Sequence, residues 1–259
     1  MFFCIYSLLS NLCILFCIMR IVSLHPNELV RLTAEYMCSR LLAALDGKRN
    51  VFLLLSAGSW VKIYSSMVPI LPTLDMSKLT FGLVDERYVP KGYVDSNEQQ
   101  ISESELIRKF VDQGATFIPT IQDSQIDPAT IVELIDSLYK QILSKKVHFL
   151  LTLGLGSDGH TAGILPSSTS NVFSSRFNDD KLFVCYQTVP EETLNPHRKR
   201  FTISPSCILK ADEVIVFAAG AEKKPIIDHL FYSSEPAHAF PAGILRTISD
   251  KVTIYTDKV

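Results

Sequence analysis

The sequence predicts an α/β protein with three layers: an open, mostly parallel sheet with helices on both faces. Three observations point to it. Short apolar runs alternate with longer amphipathic stretches from residue 27 to the C-terminus. The runs are apolar at consecutive positions, the pattern of strands buried on both faces. Several end in polar or glycine-rich turns, "SAGS", "DER" and "GLGSDGH", and an open parallel sheet gathers its ligands beyond the carboxyl ends of its strands.

The elements follow in order. The first 19 residues, "MFFCIYSLLSNLCILFCIM", carry no charge and approach the length that spans a bilayer. No basic residue precedes the run and no small-residue cleavage site follows it, so it does not read as a signal peptide. An upstream extension with Met19 as the working start, a membrane anchor and a buried segment remain as readings. Residues 1–18 are set apart as an apolar extension and 19–259 are read as one α/β domain.

From 27 to 45, Leu29, Leu32, Tyr36, Leu41 and Leu45 fall near helical spacing, and Asp46-Gly47 is a stop signal. "VFLLL" (51–55) reads as a strand, followed by a helix through Ile63 and Met67 and a strand "LTFGLV" (79–84). The alternation continues through "SELIRKFVDQ", "ATFIPT", the helical "PATIVELIDSLYKQILSKK" and the strand "VHFLLTLG". "PSSTSN" (166–171) reads as loop; "KLFVCYQTV", "RFTIS" and "EVIVFAAG" read as strands, "AEKKPIIDHLF" as a helix and "KVTIYT" as a last strand. No internal repeat or low-complexity tract interrupts the pattern.

Composition narrows the function classes. The 259 residues are 47% hydrophobic with a net charge of −2, so there is no basic surplus of the kind that tracks a nucleic-acid backbone. An anionic ligand must be met by a few placed cations. The cysteines are Cys4, Cys13, Cys17, Cys38, Cys185 and Cys207, with no C-x-x-C pair and no Cys/His cluster at zinc spacing. No metal is expected, and a reducing, cytoplasmic setting is.

The turn "GLGSDGH" contains G-x-G-x-x-G at Gly154, Gly156 and Gly159. A dinucleotide loop should open a long helix whose first N–H groups bind the pyrophosphate. Here Pro166 and a polar stretch follow closely, and the nearest acidic pair, Asp179 and Asp180, precedes a strand instead of ending one. The alternative is that the glycines bring backbone close to a ligand while Asp158 and His160 point into the crevice. Histidine, with an unperturbed pKa of ~6.5, suits proton removal from water, and a carboxylate can hold its ring. A histidine that merely caps the turn fits the spacing equally well. As a metal pair the two lack a third ligand.

"DERYVPKGYVDSN" (85–97) sets Asp85, Glu86 and Arg87 directly after a strand and returns Asp95, Ser96 and Asn97 after a Pro/Gly turn. It reads either as a solvated charge cluster or as part of a site. In "SAGS", Gly58 and the hydroxyls of Ser56 and Ser59 could donate to a phosphate.

Together the three clusters resemble the 6-phosphogluconolactonase family, within the group that also holds glucosamine-6-phosphate isomerase. "DERYVPKGYVDSN" is similar to D-E-R-x-V-P-x-x-x-x-D-S-N, and "GLGSDGHTAGILP" to G-x-G-x-D-G-H-T-A-S-L-F-P. "RFTIS" and "GAEK" resemble two further segments. The resemblance covers Met19 to the C-terminus and implies the group's Rossmann-like fold and hydrolysis of 6-phospho-D-glucono-1,5-lactone, the second step of the oxidative pentose phosphate pathway, without cofactor or metal. It implies His160 as general base, Asp158 as its orienting partner and Arg87 as a stabiliser of charge at the carbonyl. Arg200, chosen over Arg198 and Lys199, and Lys223 become phosphate contacts. Ser56, Gly58, Ser59, Asp85, Asn97, Gly156 and Gly159 line the substrate. The partner is the small lactone, with no nucleic acid, a membrane only if the N-terminal run is real, and a monomer favoured.

Two departures matter. The family's first loop reads S-G-G-S/T-P, and here Ala57 and Trp60 replace a glycine and the proline. A positive φ at Ala57 would cost about 1 kcal/mol. The isomerase has a glutamate where this chain has Leu165, and its first motif tends to D-E-Y, so Leu165 and Arg87 favour the lactonase. The alternatives are that isomerase/deaminase and a non-catalytic sugar-phosphate-binding protein.

Overall fold

The computed structural model describes residues 19–47, 49–120, 126–177, 180–190 and 196–257. The apolar extension 1–18 and Asp179 lie outside the described residues. The strands are β1 (Arg20–Ser23), β2 (Val51–Leu55), β3 (Leu79–Leu83), β4 (Asp85–Arg87), β5 (Thr116–Phe117), β6 (His148–Gly154), β7 (Phe183–Gln187), β8 (Lys199–Ile203), β9 (Glu213–Ala218) and β10 (Val252–Thr256). The helices are α1 (Pro26–Asp46), α2 (Val61–Met67), α3 (Asn97–Ser102), α4 (Leu106–Asp112), α5 (Pro128–Leu143), α6 (Ser170–Arg176), α7 (Pro205–Ile208) and α8 (Lys223–Tyr232).

Local chemistry sets the helix limits. At the start of α1 the His25 ring accepts from the Asn27 N–H and Pro26 needs no partner for an N–H it lacks; at its end the Gly47 N–H returns to Ala44 O. Ser96, Thr169 and Ser204 cap α3, α6 and α7 with their hydroxyls.

Seven strands form one sheet in the order β1-β10-β9-β6-β2-β3-β5, every neighbour parallel. Alternate residues of each strand feed opposite cores. Val51, Leu53, Leu55 and Leu150 pack with α1, α2, α3 and α4, whereas Phe52, Leu54, Phe149, Leu151 and Leu153 pack with α5, α7 and α8. The three layers expected from the sequence are therefore present.

The remaining strands β4, β8 and β7 make a separate three-stranded antiparallel sheet on the second face. Apolar patterning alone does not separate "KLFVCYQTV" and "RFTIS" from the main sheet. The short connection between β7 and β8, residues 188–198, suits an antiparallel pair better than a parallel crossover, which takes roughly a dozen residues or more and usually a helix. Edge strand β1, helices α3 and α6, and the 3-10 segment Pro241–Lys251 are further additions to the sequence expectation.

The chain runs from β2 outward to β3 and β5, then returns on the other side of β2 as β6 and continues to β9 and β10. The direction of winding reverses between β2 and β6. Loops leaving the carboxyl ends of such a pair part to opposite faces and leave a crevice between them. The two loops that emerge there are "SAGS" after β2 and "GLGSDGH" after β6.

Candidate active site

The loop after β6 folds back on itself. Gly159 N donates to Gly156 O at 3.1 Å and Gly156 N to His160 O at 2.8 Å, with Gly159 at φ +84°. These glycine N–H groups are thus consumed within the loop, and α6 begins only at Ser170. That removes the two features a dinucleotide cradle needs, free N–H groups and an immediate helix.

What the fold-back achieves is to bring Asp158 against His160. Oδ1 of Asp158 lies 2.5 Å from Nδ1 of the ring and also accepts the His160 N–H at 3.1 Å. Both side chains are partly open to solvent. Desolvation pushes the Asp158 carboxyl up, but the hydrogen bonds and charge of His160 outweigh it and hold the group below the usual carboxylate range. An ionised Asp158 accepts a hydrogen bond from Nδ1–H, the tautomer that leaves Nε2 with its lone pair free.

Three contacts seat this loop. Gly156 lies under the ring, where a Cβ would come within 2.1 Å of Nδ1. Gly159 lies against Phe240, where a Cβ would come within 2.3 Å of the ring, and Gly159 O accepts from Ala242 N at 2.9 Å. Gly163 reaches the small sheet: its N–H donates to Thr202 Oγ1 at 3.0 Å, and its carbonyl accepts from the Tyr186 hydroxyl at 2.5 Å. Sequence reasoning misses Phe240, Thr202 and Tyr186, since none carries chemistry of its own.

The small sheet carries the arginines. Asp85 pairs with Thr202 and Arg87 with Arg200 in antiparallel register, so the two arginines stand directly opposite on one face. Gly163 meets Asp85 and Thr202 on that same face. Arg200 is buried, makes no ion pair among the described residues, and leaves Nε without an acceptor there. A buried cation beside a second one is costly unless an anion joins them. Lys199 carries its ammonium over the Tyr88 ring at 5.0 Å and Arg198 is exposed, so Arg200 is the member of that basic run on the Arg87 face.

Glu86, in the sequence only one of two adjacent acids, organises the whole segment. Fully buried, it accepts from the N–H groups of Arg87, Asn97 and Glu98 and from the Ser96 hydroxyl, at 2.7 to 2.9 Å. Burial raises its pKa despite those hydrogen bonds. Asn97 follows from this: its Nδ2 donates to Asp85 O at 2.9 Å and its buried Oδ1 has no donor among the described residues.

At the switch point, Ser56 N donates to Thr152 Oγ1 at 2.9 Å and the Trp60 ring N–H to Leu153 O at 2.8 Å, tying the end of β2 to that of β6. Gly58 and Ser59 are left exposed at the crevice. Ala57 carries no left-handed strain: its φ is −93° and ψ −153°, and Gly58 takes the positive φ of +63°. Trp60, in place of a proline, is core, stacked on Tyr64. Lys223, at the start of α8, donates from Nζ to Leu155 O at 2.8 Å, so its charge sits at the root of the glycine loop. Lys223 therefore lies at the β6 end of the crevice, while the strands that carry Arg87 and Arg200 meet the loop where Asp85 and Thr202 touch Gly163. Among the described residues no cluster of three His, Cys, Asp or Glu side chains is placed to hold a metal.

A histidine–aspartate pair and a lysine beside the switch point of an open parallel sheet, with an arginine pair on the small sheet that meets the same loop, define a Rossmann-like α/β protein. The family model described as glucosamine-6-phosphate isomerases/6-phosphogluconolactonase matches residues 25–254, and the chain belongs to that family. It is 28% identical to 6-phosphogluconolactonase of Neisseria meningitidis serogroup A over 79% of this chain and 84% of that one. It is 26% identical to that of Rattus norvegicus over 90% and 88%. The fold matches the structure of 6-phosphogluconolactonase from Trypanosoma brucei with a TM-score of 0.72, at 24% identity, covering 92% of this chain and 95% of that one.

Proposed function

We propose that this protein hydrolyses 6-phospho-D-glucono-1,5-lactone to 6-phospho-D-gluconate, in the oxidative pentose phosphate pathway. The observation that supports the reading is the contact of Asp158 with Nδ1 of His160, which leaves Nε2 to act as the base, on a loop whose root carries the Lys223 ammonium. A lactone carbonyl is already electrophilic, so catalysis needs a base for water, a stabiliser for the oxyanion and an anchor for the phosphate.

His160 takes a proton from water through Nε2 as the oxygen attacks C1, and Asp158 stabilises the imidazolium. Arg87 faces the charge that forms on the carbonyl oxygen. When the C1–O5 bond breaks, the imidazolium returns its proton to O5, and the new carboxylic acid ionises. Arg200 meets the phosphate with its planar fork, assisted by Lys223 and by the Gly58–Ser59 turn. Arg87 and Arg200 are cross-strand partners, so their side chains leave the same face of the small sheet, one for the carbonyl oxygen and one for the exocyclic phosphate.

All these groups come from one chain, so a monomer suffices. Cys38, Cys185 and Cys207 are free, in keeping with the cytosol, and no helix among the described residues is long and apolar enough to cross a membrane. Leu165 is buried where the isomerase motif has its glutamate, which disfavours deamination.

The test is lactone opening by the full chain, corrected for the spontaneous rate. Wild type should accelerate it, and His160→Ala should lower kcat by ~10²- to 10⁴-fold. Ammonia released from glucosamine 6-phosphate would favour the isomerase reading instead, and 6-phosphogluconate binding without turnover a non-catalytic binder.

A further inference from the structure

Two loop segments meet beside the arginine pair. Residues 88–96 join β4 to α3, and residues 196–198 lead into β8, the strand that carries Arg200. His197 and Asp95 bridge them, Nε2 to Oδ2 at 2.7 Å, and the Tyr93 ring stands edge-on to the His197 ring with centroids 5.7 Å apart. The main-chain oxygen of the same Asp95 accepts from Arg87 Nη1 at 2.7 Å. One residue therefore holds His197 with its carboxylate and Arg87 with its carbonyl.

We propose that the Asp95–His197 pair is a latch that positions Arg87 over the lactone carbonyl, an inference that rests on the function proposed above. An arginine side chain has large rotamer freedom, and here its cross-strand neighbour is another arginine that repels it. The Asp95 carbonyl, a neutral acceptor fixed by its loop, helps to hold the guanidinium in place. The loop bearing the acceptor is anchored at its far end, where Ser96, Asn97 and Glu98 donate to Glu86. Between Pro90 and Ser96 two turns, Tyr93 N to Pro90 O and Ser96 N to Tyr93 O, shape it locally. His197 ties the Asp95 side chain to the segment that enters the opposite strand. His197 and Asp95 are positioning residues: the latch acts through Arg87 and touches no reacting atom.

The side chains are partly open, 19% for His197 and 46% for Asp95, and thermal melting of each variant separates a loss of packing at His197 from a loss of the latch. The experiment compares wild type, His197→Ala, His197→Gln, Arg87→Ala and the His197→Ala/Arg87→Ala double variant. It measures lactone hydrolysis, and calorimetric binding of 6-phosphogluconate and of inorganic phosphate. His197→Ala should lower kcat about tenfold with KM within about twofold, and His197→Gln, whose amide can reach Asp95, should recover most of it. On the Arg87→Ala background the same change should cost nothing further, the non-additivity of residues acting as a unit. Binding of 6-phosphogluconate, whose C1 carboxylate would meet Arg87, should weaken about tenfold while inorganic phosphate binds as before. Unchanged kcat and 6-phosphogluconate binding in His197→Ala, or an equal loss with and without Arg87, overturns the latch. Should wild type bind 6-phosphogluconate but leave the lactone untouched, the hydrolase reading falls. The latch is then supported by selective weakening of 6-phosphogluconate binding and overturned by equal weakening of both ligands.

Discussion

Gly156 has no side chain because the His160 ring occupies the space: a Cβ would lie 2.1 Å from Nδ1 and 2.5 Å from Asp158 Oδ1. Gly156→Ala should therefore expel the ring toward solvent and bring kcat down to the level of His160→Ala. Thermal unfolding should change by only about 1 kcal/mol, because a partly exposed ring can turn outward without opening a cavity. A stable variant that keeps wild-type kcat would mean the ring is not the base in this pose. Spacing in the sequence marks Asp158 and His160 as a pair but leaves a capping histidine equally open. The pair's geometry depends on a missing methyl group two residues before Asp158, which no motif distinguishes from an ordinary flexible glycine.

The segment from β4 into α3 is organised by Glu86. Each of its oxygens accepts two hydrogen bonds, Oε1 from the N–H groups of Arg87 and Asn97, Oε2 from the Ser96 hydroxyl and the Glu98 N–H. In Glu86→Gln the amide nitrogen cannot accept: on the Oε2 side the Ser96 hydroxyl can turn to accept from it but the Glu98 N–H is left unmet, and on the Oε1 side two N–H groups would be. Chemical denaturation should show a loss of about 1–3 kcal/mol, the cost of leaving buried donors unmet. Activity should fall as well, because Arg87 and Asn97 are set by these bonds. Unchanged stability would mean that water replaces the carboxylate. Nothing in "DERYVPKGYVDSN" separates Glu86 from Asp85, since both are acids after a strand. Alternation on β4 puts them on opposite faces, and pairing with β8 decides which face looks into the crevice.

Across the molecule, a partly buried ion pair lies at the end of the sheet opposite the candidate site. Arg40 on α1 grips Glu213 at the start of β9 with Nε at 2.8 Å and Nη2 at 2.8 Å, remote from the carboxyl ends of the strands. Burial pushes the Glu213 carboxyl up, but His148 and Arg40 outweigh it and hold it below its ordinary value. A depressed carboxylate stabilises the fold above its unfolded pKa, and that contribution is lost as pH falls through the folded value. Arg40→Ala should thus lower stability by about 1–2 kcal/mol near neutrality, the pair being discounted for the solvent that reaches the partly open Arg40. The gap from wild type should close in acid, and kcat should not change. Melting curves between neutral and acid pH check this; a gap that widens in acid would contradict it.

The alternation of buried runs with amphipathic stretches, and so the parallel three-layer class, was legible in the chain because burial on both faces leaves a local record in every strand. The two motifs that mark the crevice were legible too, because their spacing is covalent. The antiparallel sheet β4-β8-β7, the opposition of Arg87 and Arg200 and the extended backbone at Ala57 were not. They depend on which distant segments pair and in what register, and that is settled by competition among non-local contacts that no short stretch of sequence contains.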